Sequence, residues 1–474
     1  MTGGTFKAGA AQQVITPPIG TKLAGWSNRA AGDSLARFVH DDLFVRTLVV
    51  QAADGAWALV TSDLVGVDST ATGRIRRRIA QQTGLDPEAI LVCGAHVHSG
   101  PALCPVAGAV SLEGRGGIRS DGVASTNYGQ PDEQIVATAY YAGESDENWR
   151  DYFIGQAVDS AAEAWRSLRP AEAAYGEAEV KGVGSSRRVL LADGSWDDPR
   201  RQRPAEVEVV SRTEIDPLAR VLVLRDSALM NPLAVVVNYG SHPWVFSTSG
   251  ISGEMAGAVA RKVAAALAPA GSAPPVVPYT TGPEGDVTAI WNIDLETVWR
   301  LRPDETLESG LARRERGFDR ELDRLGGLLT EGVLSAVAGA TTWDSAPQVS
   351  ARRREILLPL KPGYRPPPEL RLADWQAAPE GYHRTEIQVL RLGATAILAL
   401  AGEPFVSIGR QIRAQAPAGN LIIAAISNDY GSISYIADQA AYAQGGYELT
   451  ITPAAPGAGE VLAEQAAALL NATG

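Results

Sequence analysis

The stretch Ala89-Ile90-Leu91-Val92-Cys93-Gly94-Ala95-His96-Val97-His98-Ser99-Gly100-Pro101 decides how the rest of the chain is read. Its apolar start predicts a short buried strand, and Gly-Pro marks the turn that ends it. Residues i and i+2 of a strand point to one face. His96 and His98 are therefore expected to project together where the strand runs out. Strand ends are also where α/β proteins build their sites. A third histidine, His242 in Ser241-His242-Pro243, follows another apolar run at 233–239 (LAVVVNY). The chain has only five histidines in 474 residues, so three at strand ends is a concentration. Two or three imidazoles with one carboxylate form a first-row metal site, most often for zinc. The same residues also occur as plain hydrogen-bonded structural histidines, and spacing alone does not separate the two. His40, beside Asp41-Asp42, and His383, beside Arg384, are expected in loops or at the surface, without a catalytic role.

Working outward, one pattern recurs: an apolar strand, a polar residue at its end, then a helix. A strand at 276–279 leads to Thr281-Gly282-Pro283-Glu284-Gly285-Asp286. A strand at 396–401 leads to Gly402-Glu403-Pro404, and one at 421–426 to Ser427-Asn428-Asp429-Tyr430, with Tyr435 beyond. Nearer the start, 43–50 and 56–60 are two apolar strands joined by Ala53-Asp54-Gly55, a hairpin signal. Helices are expected at about 69–83, 147–167, 254–268, 304–338 and 459–472. Together these predict an α/β architecture with a site gathered at one edge of a sheet. Arg76-Arg77-Arg78 are expected on a solvated helix face, and the Arg/Glu interleaving of 304–338 on another. The Gly-, Ser- and Asp-rich region at 105–147 is too long for an ordinary connection and reads as a lid or an insert. No internal repeat and no linker appears, so 1–474 is taken as a single catalytic domain.

Composition narrows the function classes. The chain is 45% hydrophobic and 20% charged, with a net charge of −12 and a pI near 5.1. That balance argues against nucleic acid or an anionic membrane as partner. The two cysteines, Cys93 and Cys104, form neither a disulfide framework nor a cysteine metal cluster. Cys104 is expected to be a small apolar filler. No secretion signal and no membrane-length apolar run is seen. The expectation is a cytoplasmic protein with a small-molecule substrate and no stable membrane association; self-association into a homo-oligomer is left open. No nucleophile elbow, phosphate loop, HExxH or dinucleotide fingerprint is present.

Against this background the chain resembles the neutral/alkaline (non-lysosomal) ceramidase family, in a colinear match over about 8–450. The segment 9–20 (GAAQQVITPPIG) resembles the family's opening, and Ser62-Asp63-Leu64 its TDL strand end. His96-Val97-His98-Ser99-Gly100-Pro101 resembles HTHSGP, the most specific motif. Arg187-Arg188 stands at an Asn-Arg element, with Ser186 in place of the Asn. Asn238 to His242 resembles the second histidine segment, Gly285-Asp286-Val287 the start of GDVSPN, and Gly402-Glu403 the glutamate segment. Tyr435, with Tyr442 and Tyr447-Glu448, resembles the tyrosine segment.

The resemblance implies layered mixed β-sheets flanked by helices, and zinc held by His96, His242, Glu403 and Tyr435. It implies hydrolysis of an amide (C–N) bond, in that family of N-acyl sphingosine, by a metal-activated water. Tyr435 or Arg187 would stabilise the oxyanion, and His98 would pass a proton to the leaving nitrogen. Asp63 and Asp286 would fix imidazole orientation from behind. The serine of GDVSPN is Thr288 here, followed by Ala289-Ile290, so a serine nucleophile is not expected. The match ends without the family's C-terminal immunoglobulin-like domain, so a small amide or N-acyl compound other than ceramide is the expected substrate. Lactone or ester hydrolysis, cyclisation and ceramide hydrolysis use the same parts, and a non-catalytic zinc- or ligand-binding protein is the alternative from another class.

Overall fold

The computed structural model describes residues 6–24, 35–101, 103, 107–111, 135–139, 147–197, 208–245, 248–289, 306–366, 370, 372–416 and 419–472. An eight-stranded sheet is formed by β1 (Lys7–Val14), β2 (Phe44–Gln51), β3 (Ala56–Ser62), β4 (Ile90–Gly94), β5 (Arg169–Glu179), β6 (Leu218–Asp226), β7 (Pro232–Tyr239) and β8 (Tyr279–Thr281). Its spatial order is β8-β7-β6-β5-β1-β2-β3-β4. A four-stranded sheet contains β9 (Val349–Pro359), β10 (Tyr382–Leu392), β11 (Thr395–Ala399) and β12 (Asn420–Ala424), in chain order. Neighbours are antiparallel except β3/β4, β7/β8 and β11/β12, which are parallel.

The apolar runs are continuous because most strands are buried on both faces. In β2, Val45 and Val49 face one way, and Leu48 and Val50 the other. In β6 the same split separates Val221 and Val223 from Leu222 and Leu224. Leu48, Val50, Leu222 and Leu224 pack on Leu390, Leu392, Ile397 and Ile422 of the second sheet. The two sheets therefore stack face to face. Helices α1 (Ser69–Thr83) and α2 (Glu147–Arg166) cover one half of the large sheet's other face. Helices α3 (Glu254–Ala266) and α4 (Leu307–Gly339) cover the other half. The outer face of the small sheet carries α5 (Val406–Gln415) and α6 (Ala458–Asn471). The result is a helix–sheet–sheet–helix sandwich, the layered α/β architecture expected.

Helix α1 spans the predicted residues. Asp68 caps it by accepting from Ala71 N, and Gly84 ends it at φ 76°. Arg76 departs from expectation. It is buried, donating to the Ile90 carbonyl and pairing with Glu386 at 2.8 Å, while Arg77 and Arg78 are exposed. Its inward arginine spans the start of β4 at Ile90 and Glu386 on β10 of the second sheet. The expected insert at 105–147 falls outside the described residues, apart from the hairpin of Ala107–Ser111 with Ile135–Ala139 and the start of α2. Cys104 is also outside them. Among the described residues, no helix is long and apolar enough to cross a membrane.

The two edges of the large sheet, β4 and β8, come together rather than lying far apart. Thr281 Oγ1 donates to the Ala95 carbonyl at 2.9 Å. The chain leaving β12 ties both edges: Ala425 N donates to Thr281 O, and the Ile426 carbonyl accepts from Gly94 N. The C-terminal ends of β4, β7, β8, β11 and β12 thus converge on one buried point. The site lies where both edges of one sheet meet the other sheet, not along a single edge.

Candidate metal centre

His96 leaves the end of β4 with φ 63°, a left-handed conformation uncommon for a residue with a side chain. The pairing of His96 with His98 is real, but strand alternation does not produce it. The strand ends at Gly94, and the backbone turn at His96 brings the two rings together at 4.7 Å in an edge-to-face contact. His96 Nδ1 lies 3.0 Å from the Val65 carbonyl. His242, beyond β7, places its Nδ1 2.8 Å from the Val287 carbonyl and 3.1 Å from that of Glu284. A carbonyl only accepts, so each Nδ1 carries the hydrogen, and each Nε2 of the neutral ring presents a lone pair. Both lone pairs face the same point.

Glu403 follows Gly402, whose φ of 66° turns the chain out of β11. Its Oε1 accepts from the Tyr430 hydroxyl at 3.1 Å. Its Oε2 sits 3.6 Å from His96 Nε2 and 3.4 Å from His242 Nε2. Two donors each about 2.1 Å from a shared zinc, at a tetrahedral angle, lie about 3.4 Å apart. Both distances from Glu403 Oε2 therefore match the separation of neighbouring ligands in one coordination shell.

Hydrogen bonding gives an independent test of whether a cation fits. Among the described residues, His96 Nε2, Glu403 Oε2 and both carboxylate oxygens of Glu284 are buried without a hydrogen-bond partner. Each such atom costs free energy when left dry and unpaired. A divalent cation would satisfy donors of this type together, and the imidazole–carboxylate set suits a first-row metal. His96, Glu284 and Glu403 each offer an atom within 4.8 Å of the others, and so do His96, His98 and His242.

Electrostatics agree with that assignment. Burial, and then the charge of Arg187, push His242 down to about 4, so it is neutral and able to ligate at neutral pH. Burial, reinforced by the nearby Glu403, raises the Glu284 carboxyl well above the usual range. Burial also opposes the charge on Glu403, but His96 and His242 outweigh it and hold this carboxyl well below.

The other predicted residues are distributed around this point. His98 is only partly buried and lies against Trp244. Its backbone N donates to Glu254 Oε2 at 3.0 Å, and Ser99 Oγ donates to Glu254 Oε1. Tyr435 pairs with Glu403 in a two-residue parallel bridge. The guanidinium of Arg187 lies 5.0 Å over the Tyr435 ring. Arg187 is held by Glu448 at 2.6 Å and by the Gly285 carbonyl, and Arg188 grips the other Glu448 oxygen.

Asp63 and Asp286 are supports of a different kind from that expected. Asp63 pairs with buried Arg46 at 2.7 Å and accepts from Phe44 N. Asp286 accepts from Val406 N, at the start of α5 just beyond Glu403. Carbonyls, not these carboxylates, orient the His96 and His242 rings. Burial raises Asp286 to about 6. His383, expected near the surface, is buried against Asp429 and Ser432. His40 is partly exposed and sits between Asp41 and Asp319. Glu284 is the residue that sequence reasoning missed. It stands in a Gly-Pro-Glu-Gly-Asp turn, and only its acid beside Asp286 at a strand end hinted at a role.

No family profile matches this sequence, and no curated protein sequence does either. Solved structures do. The neutral ceramidase from Pseudomonas aeruginosa superposes with a TM-score of 0.67 at 16% identity, covering 99% of this chain and 75% of that one. A ceramidase complexed with C2 gives 0.66 at 16% identity, covering 99% and 76%. Over nearly its whole length, the chain has the neutral ceramidase fold.

Proposed function

We propose that this protein is a zinc-dependent hydrolase of an amide bond, acting on a small amide or N-acyl compound. One observation carries the proposal: His96 Nε2 and Glu403 Oε2, buried and unpartnered among the described residues, stand with His242 Nε2 at coordination spacing. When bound, the cation supplies Lewis acidity and makes water acidic enough to deprotonate near neutral pH. His96, His242 and Glu403 hold it, with Tyr435 beside Glu403 as the fourth ligand. The carbonyls of Val65, Val287 and Glu284 keep the hydrogen on each Nδ1, so both rings stay in the ligating tautomer. His98, on the partly exposed side of the cluster, hands a proton to the leaving nitrogen. Arg187, clamped by Glu448, faces Tyr435 and adds positive charge where an oxyanion develops. The fold shared with ceramidases supports amide chemistry over lactone opening.

The test is hydrolysis of a panel of N-acyl amines, cyclic amides, lactones and ceramide by the purified protein. Each is run with and without chelator, and again after zinc is restored. Release of amine from at least one amide, lost on chelation and recovered with zinc, is expected. Turnover indifferent to chelation would overturn the proposal, as would no turnover of any amide by fully metallated protein.

A further inference from the structure

We infer that Glu284 is a ligand of the same cation, so the centre carries two carboxylates rather than one. The inference rests on the metal reading of His96, His242 and Glu403 and adds a residue to it. Glu284 is fully buried, and neither carboxylate oxygen has a hydrogen-bond partner among the described residues. One of its oxygens lies within 4.8 Å of the His96 and Glu403 donor atoms. A second carboxylate beside Glu403 repels it unless positive charge stands between them.

The backbone fixes this placement. The Glu284 carbonyl accepts from Val287 N at 2.7 Å and lies 3.1 Å from His242 Nδ1. The next residue, Gly285, donates to the Pro404 carbonyl at 3.0 Å. A Cβ at Gly285 would meet the Glu403 carbonyl at 2.3 Å, so only glycine lets the two segments approach this closely. One tight turn therefore holds His242 by its main chain, packs on the Glu403 segment, and sends a carboxylate toward His96 and Glu403. Added to His96, His242, Glu403 and Tyr435, a second carboxylate makes the donor set richer in oxygen. Such a shell tolerates higher coordination numbers and harder cations.

The experiment titrates metal-free wild type and Glu284→Gln with Zn²⁺ against a chromophoric chelator, and with Co²⁺ while recording its visible spectrum. Glu284→Gln is expected to lose zinc affinity by more than about 100-fold, beyond the range for loss of an outer partner, with a changed Co²⁺ spectrum. Unchanged affinity together with an unchanged spectrum would overturn the inference. A wild type that binds neither ion defeats the metal reading itself, so the two failures are distinguishable. Should Glu284→Gln not fold, the crystal structure of the metal-loaded wild type decides. A Glu284 oxygen at about 2.0–2.2 Å from the metal is expected, and a carboxylate turned away from it contradicts the assignment.

Discussion

Two buried histidine–carboxylate clusters sit back to back in this molecule, joined by one segment of chain. Tyr430 reaches Glu403 on one side, while its neighbour Asp429 reaches His383 on the other. Residue types and burial are alike, but bonding is not. Asp429 accepts from Gln376 Nε2 at 2.7 Å, Thr385 Oγ1 at 2.9 Å, His383 at 3.1 Å and Ser432 at 2.5 Å. Burial opposes its charge, yet His383 and the hydroxyls outweigh burial and keep its pKa low. Around His96 the reverse holds: four buried donor or acceptor atoms converge with no protein partner among the described residues. A saturated network stabilises a fold, whereas an unsaturated one that the fold still tolerates marks a place for a ligand. Ser432, Asp429 and His383 also do not form a nucleophilic triad, because serine and aspartate share the same ring nitrogen.

The contrast can be broken or sharpened by substitution. Glu403→Ala should have the largest effect. Losing several kcal/mol of metal-derived charge stabilisation corresponds to about a 10³-fold or greater fall in amide hydrolysis. Steady-state kinetics would read it, and activity within tenfold of wild type would end the metal account. Asp429→Ala should act on stability instead. Stripping the partner from His383, Gln376 and Thr385 should cost about 3–5 kcal/mol in denaturant unfolding, with the metal retained. If it instead released the metal while the fold stayed intact, the two clusters would not be distinct.

Asp286→Asn tests the anchor of the Glu403 segment through pH. In the folded, metal-free protein this acid titrates at about 6 against an ordinary value of 3.8. A raised acid stabilises folding while protonated; that contribution is complete below the unfolded value and is lost as pH rises through about 6. Wild type should therefore lose about 3 kcal/mol from this group between pH 4 and 6, and the variant should not. Overlapping stability–pH curves would count against it. Tyr430→Phe, which removes only the hydroxyl on Glu403 Oε1, should be the mildest. Metal affinity is expected to fall about 10- to 100-fold, with unfolding nearly unchanged.

Much of this was legible in the residues. Amphipathic period placed helix α1 at about 69–83, and continuous apolar runs gave buried strands. Polar residues at strand ends marked His96, His242 and Glu403. What the sequence concealed depended on tertiary closure. Strand logic paired His96 with His98 but could not show the left-handed turn that does so. Glu284 looked like one more turn residue, because nothing local reveals that β8 closes against β4. His383 sat beside an arginine and looked exposed, although Tyr382 and Arg384 alternate with it across a strand whose inner face is buried. Arg76 belonged to a basic run and was judged by that run, not by the helix face it occupies.

The most direct test is the metal content of the purified chain, measured by elemental mass spectrometry after exposure to zinc and removal of excess. The account predicts about one zinc per chain in wild type and in Asp429→Ala, and essentially none in His96→Ala. A folded wild type that takes up no divalent cation would contradict it.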